Sequence, residues 1–159
     1  MSSRDQLITW LNDAYAMEQA LEETLRGHAK DAKDEPDVQA RIEQHIEETR
    51  SQATAVRECI ESLGGSVSGA KAAFATMFGS MQGLANKPMG DTMVKNAIAD
   101  YAAEHFEIAT YRALIDAANE VGEQEVSRRL TEILRQEEEM ARFLEQKLPG
   151  AVKGALASA

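Results

Sequence analysis

Two stretches decide how this chain is read: DAYAMEQAL, residues 13–21, and ADYAAEHFEI, residues 99–108. Each places a tyrosine three residues before a glutamate, Tyr15 before Glu18 and Tyr101 before Glu104. Both are rich in Ala and Glu and free of Gly and Pro, the mix of a helix interior. Packed bundle helices present about every third and fourth residue to the core. On that spacing the first helix offers Leu7, Leu11, Ala14, Glu18, Leu21 and Leu25, so Glu18 takes a slot that suits leucine. The helix around the second stretch offers Ala97, Tyr101, Glu104, Ile108, Tyr111, Ile115 and Ala118, and Glu104 is placed in the same way.

Working outward, four long amphipathic helices emerge. The first runs from about Ser3 to Ala29 and is followed by the charged loop KDAKDE. Pro36 suits the first turn of the second, which carries Val38, Ile42, Ile46, Ala53, Val56, Ile60 and Leu63 and stops at Gly64-Gly65. The third starts near Asp91 as N-cap and runs to Val121, with Gly122 as its stop. The fourth runs from about Glu123 to Leu148, where Pro149-Gly150 ends it, leaving 149–159, PGAVKGALASA, as a flexible tail. Residues 66–90 are too many for a tight turn. Phe74, Met77, Phe78, Met81 and Leu84 recur there at helical spacing and predict a short fifth helix around 70–85, capping the core or meeting a second copy. The pattern is an all-α, ferritin-like four-helix bundle over 1–148, with one long crossover between helices two and three.

The totals narrow the function. A chain of 159 residues suits one domain and one core. Aromatics at 5% favour helix over sheet. A net charge of −10 repels phosphate backbones and anionic lipid, which argues against nucleic acid and membrane surfaces as partners. No apolar run approaches the roughly 18 residues of a membrane span. MSSRDQLITW lacks a signal-peptide pattern and Cys59 is the sole cysteine, so a cytoplasmic, reducing location is expected.

Helix four repeats the theme of the buried acid: Val126, Leu130, Ile133, Glu137, Met140 and Leu144 form its stripe, with Glu137 in a core slot. Glu107 follows Glu104 by one turn, near the edge of its stripe. Helix two offers adjacent acids in HIEETRSQ, residues 45–52. At roughly 100° per residue Glu47 opposes the apolar stripe and faces water, whereas Glu48 shares a flank with His45 and Gln52. His28 lies near a helix end and reads as exposed.

Each acid falls near mid-helix, so an up-and-down bundle brings Glu18, Glu48, Glu104 and Glu137 to one level. Buried together and ionised, four carboxylates repel one another and lose their hydration. They are therefore protonated, paired with a base such as Arg50, or separated by cations. A carboxylate set with one imidazole suits Fe or Mn. On this reading the metal-ligating candidates are Glu18, His45, Glu48, Glu104, Glu107 and Glu137. Tyr15, Gln52 and Tyr101 stand behind them as hydrogen-bond partners. A lone glutamate in a stripe commonly reaches water from its edge; four in register, with two copies of Tyr-Ala-x-Glu, favour an internal cluster.

HIEETRSQ, EHFEIATY and the spacing between them resemble the YciE/YciF-type bacterial stress proteins, ferritin-like bundles distantly similar to rubrerythrins. The resemblance spans nearly the whole chain, from DAYAMEQAL to QEEEMA. It implies a homodimer and a two-metal carboxylate centre. The sequence departs from the Glu-x-x-His pairs of ferritin-like di-iron sites: Ser51 follows Glu48 by three, Met140 follows Glu137, and Arg50 follows Glu47. Glu107 at three beyond Glu104 is similar to the rubrerythrin third helix.

Three functions follow as expectations. The first is a metal-dependent oxidoreductase acting on oxygen or peroxide, with one or two ions of Fe or Mn and an external electron donor, since no Cys-x-x-Cys is present. The second is a non-catalytic dimeric stress protein that works through a partner, its degenerate site metal-free or plugged by a structural ion. The third is iron storage in a cage, which the long crossover disfavours.

Overall fold

Helix signals set by the sequence recur in the fold, a computed structural model that describes residues 1–68 and 90–159. Helix α1 spans Ser3–Asp31. It opens with a capping box in which Ser2 Oγ accepts from the Asp5 N–H at 3.1 Å and Asp5 Oδ2 accepts from the Ser2 N–H at 2.8 Å. Helix α2, Pro36–Ser62, begins on its proline and ends before Gly64, whose φ of +82° only glycine adopts cheaply. Helix α3, Thr92–Glu120, turns into α4, Gln124–Ala157, through Gly122 at φ +80°. The described residues form these four helices and no strand. The expected short helix around 70–85 lies outside the described residues.

The hairpins α1/α2 and α3/α4 pack together, with α1 against α3 and α2 against α4. The C-terminal part of α1 and the starts of α2 and α3 meet near Leu144 and Lys147 of α4 at one end of the bundle. Helix α2 therefore ends and α3 begins at opposite ends, which is the connectivity of a bundle with one long crossover. The apolar core is split. One part holds Leu7, Leu11, Ile60, Leu114 and Leu130; the other holds Leu25, Ile42, Ile46, Met140 and Leu144.

Two sequence expectations need correction. The last helix does not stop at Leu148 but continues through Pro149 to Ala157. Proline removes one donor to the Glu145 carbonyl, and Glu145 is exposed, so water can take that bond. Helix α3 is also turned relative to the expected stripe. Glu104, Tyr111 and Ala118 of that stripe are buried as expected, but Asn96, Asp100, Ala103, Glu107 and Leu114 are buried with them, while Tyr101, Ile108 and Ile115 are half-buried. This helix carries apolar residues on every side, so spacing alone fixes its inner face weakly.

The packing gives a first test. Leu130 is 0% exposed, and Leu130→Ala should cost about 2–5 kcal/mol in urea denaturation. Glu47 is exposed and pairs with Arg50, so Glu47→Ala should cost less than about 1 kcal/mol.

Candidate metal centre

Between the two apolar parts of the core lies a layer of acids. Glu18 of α1, Glu104 and Glu107 of α3 and Glu137 of α4 are each no more than 2% exposed, and His45 of α2 joins them at 1%. His45, Glu104, Glu107 and Glu137 each offer a ligand atom, and these atoms lie within 4.8 Å of one another. That spread matches the shell of a single ion, whose opposite ligands sit about twice the metal–oxygen distance apart. Nε2 of His45 is 3.0 Å from Glu104 Oε1 and 3.6 Å from Glu137 Oε2.

The imidazole is oriented from behind. Its Nδ1 lies 2.7 Å from Glu48 Oε2, and Glu48 is held in turn by Gln44 at 3.0 Å and Arg41 at 3.3 Å. Burial pushes the Glu48 carboxyl up, but the His45 hydrogen bond and the Arg41 charge outweigh it and bring it below its ordinary value. An ionised Glu48 accepts from Nδ1–H and leaves Nε2 as the nitrogen facing the acids. Glu18 stands beside the group, and the Tyr111 hydroxyl, fully buried, donates to its Oε1.

Electrostatics make this layer unstable on its own. Four ionised carboxylates carry −4 and His45 supplies at most +1. One pair of like charges about 5 Å apart costs roughly 3 kcal/mol at an effective dielectric near 20. Burial raises Glu18 well above its ordinary value of 4.5, as does the charge of Glu137, against the Tyr111 bond. Burial likewise raises Glu104 and Glu107, helped by the charge of Glu137. Burial beside Glu18 also raises the Tyr111 phenol, so it stays a donor.

Sequence candidates fall into three groups. Glu104, Glu107, Glu137 and His45 converge, with Glu18 beside them. Glu48 touches the far side of the imidazole rather than the acids. Tyr15 accepts from Gln19 at 3.0 Å, Tyr101 packs edge-on against His105, and Gln52 donates to Gln136 at 2.9 Å. Arg50 stays at the surface with Glu22 and Glu47, so it is not the base that offsets the core charge.

Sequence reasoning missed Tyr111 as a donor, although EHFEIATY places it two turns after Glu104 on one face. It also took His28 as exposed. His28 is 8% exposed, with Nδ1 2.6 Å from Asp100 Oδ1. Burial lowers this imidazole, but the Asp100 bond and charge prevail and its pKa is raised.

These directions fix how the metal-free protein responds to pH. The folded state holds protons on Glu18, Glu104 and Glu107 that the unfolded chain releases near 4.5, so stability falls as pH rises above that value. The His28 pair acts in the same sense: its contribution is complete below 6.5 and is lost as pH rises through the raised folded value. With chelator present, the melting temperature should therefore fall from about pH 5 to about pH 8, since a tenfold gain in proton affinity on folding is worth about 1.4 kcal/mol. Glu104→Gln/Glu107→Gln should flatten that slope, and a slope that is flat or rising in the parent protein would show that the acids are neutralised by other means.

Known proteins share this architecture. A crystal structure of a Xanthomonas campestris pv. campestris protein is 40% identical, covers 99% of this chain and 98% of its own, and superposes with a TM-score of 0.86. The Escherichia coli stress protein YciF is 22% identical over 96% of this chain and 98% of its own, with a TM-score of 0.85. A Bacillus anthracis structure described as ferritin-like, diiron-carboxylate is 17% identical over 93% and 99%, with a TM-score of 0.76. The last two likenesses show the fold. Among the described residues no helix is long and apolar enough to cross a membrane. The expected ferritin-like fold, shared with YciF, holds, and the chain matches, over residues 2–157, the family described as a domain of unknown function, DUF892, and belongs to it.

Proposed function

We propose that this ferritin-like protein acts in bacterial stress response, holding one or two ions of iron or manganese among its core acids and reacting with oxygen or peroxide. The observation that carries the reading is a set of buried polar atoms without a hydrogen-bond partner. They are Nε2 of His45, Oε2 of Glu18, Oε2 of Glu104 and both oxygens of Glu137. Buried groups of this kind are normally satisfied, and five in one layer suit a cation better than five separate penalties. The donor set of one imidazole and several carboxylates fits Fe or Mn.

When bound, such ions supply a one-electron couple and a Lewis acid. The chain does the rest. Glu48 fixes the His45 ring so that Nε2 faces inward. Glu104, Glu107 and Glu137 supply oxygens around the same point. Tyr111 holds Glu18 through one oxygen and leaves the other, buried, without a partner. Burial of all five ligand side chains keeps bulk water away. Reducing equivalents would come from an external donor, since Cys59 is buried and its thiol is pushed up by burial.

A second reading has its own observation. Ser51 and Met140 stand where Glu-x-x-His would put histidines, which favours a metal-free, non-catalytic bundle acting through a partner. On either reading we propose a cytoplasmic homodimer, supported by the exposed Trp10 on α1 and Ile98 on α3, 46% and 54% accessible.

Anaerobic loading with Fe(II) or Mn(II), desalting and elemental mass spectrometry separate the readings. Retention of roughly one to two ions per chain, lost in Glu104→Ala and His45→Ala, is expected for the metal centre. Glu48→Gln should weaken affinity about 10–100-fold while the fold survives. No retained metal in the parent protein would support the second reading, and sedimentation should find a dimer in both cases.

A further inference from the structure

The bundle has a second polar feature, at the end where the last turns of α1 and α4 meet the first turns of α2 and α3. A cavity of about 210 Å³ lies there. Its mouth is at the exposed Glu35 and Gly150, and its floor is formed by His28, Asp100 and Asn96, all buried. Val38, Ile42, Met93, Ala97, Phe143 and Leu144 supply an apolar wall. Gly150 and Ala151 belong to the lining, so the helical turn beyond Pro149 contributes to the cavity.

The charges on the floor and at Lys147 are already paired, and Glu35, the remaining charge of the lining, lies at the exposed mouth. His28 and Asp100 bond to each other through Nδ1 and Oδ1, Asn96 donates to Asp31 at 2.8 Å, and Lys147 pairs with Asp37. A charged occupant would find no free counter-charge on the floor. An apolar space of about 150 Å³ accepts benzene, so this one accommodates a single ring with a substituent. Met93 offers a thioether, which suits an aromatic edge. The cavity floor also sits one helical turn from the acid layer, because Ile42 precedes His45 by three residues and Asp100 precedes Glu104 by four.

We propose that this cavity is a binding site for a small neutral aromatic molecule carrying one hydroxyl, with the ring against the apolar wall and the hydroxyl on the His28–Asp100 pair. The proposal does not rest on metal in the acid layer.

Phenol is the probe, with toluene as the ring that lacks the hydroxyl. Titration of the 159-residue chain should give saturable shifts in amide NMR signals of residues 96–100, 144–148, 150 and 151. Phenol should bind about tenfold more tightly than toluene, the worth of one hydrogen bond to a charged group. Ala97→Leu fills the cavity and should abolish both sets of shifts while circular dichroism stays that of the parent. Asp100→Asn should bring the phenol-to-toluene preference down to about twofold or less. The proposal is overturned by shifts that do not saturate, by binding undiminished in a folded Ala97→Leu, or by a toluene affinity equal to that of phenol in the parent protein.

Discussion

Four carboxylates and one imidazole share a layer that water does not reach, and the rest of the bundle is organised around that cost. Leucine at positions 18, 104, 107 and 137 would make a continuous core. Instead the apolar contacts divide into a part near Leu11 and Leu130 and a part near Leu25 and Leu144. These flanking layers hold the helices at the spacing that brings the acids together. The acids in turn raise one another's proton affinity, so the layer is neutral only with protons, a base or a cation present.

The layer is not symmetrical. On the α2 side, the His45 ring is locked by Glu48, which is locked by Arg41 and Gln44. On the α1 side, Glu18 is tied to Tyr111, a neutral donor. The half with the imidazole resembles a place prepared for a positive charge, since its outermost acid is ionised and its inner nitrogen has no hydrogen-bond partner. Thr49 and Gln52, one and two turns beyond His45, are buried neutral side chains, and each keeps a buried oxygen without a partner. Charge balance favours two divalent ions if all four acids ionise, or one ion together with protons if they do not.

Much of this was legible in the residues. The 3–4 spacing of leucines in α1 and α4 marks Glu18 and Glu137 as interior, because their neighbours in the stripe are unambiguous. Adjacent Glu47 and Glu48 separate correctly by angle alone, one exposed and one inward of it. What spacing could not show was direction: Glu48 and His45 share a flank, yet the carboxylate turns to the back of the ring. The inner face of α3 was blurred by apolar residues on all sides, which placed Glu107 at an edge; Tyr111 was on the expected stripe, but its acceptor, Glu18, lies on another helix 93 residues away. The His28–Asp100 pair joins residues 72 apart in sequence, and no local pattern announces a contact of that kind. Pro149 misled for the opposite reason: its local penalty is real, but an exposed carbonyl one turn back makes it small.

The central claim is that the buried acids exist to hold a cation. Anomalous diffraction from crystals grown with Mn(II) tests it most directly. A peak is expected within coordination distance of His45 Nε2 and of oxygens from Glu104, Glu107 and Glu137. A map in which those side chains keep their places with no peak between them, or with peaks only at exposed acid pairs on the surface, would contradict the claim.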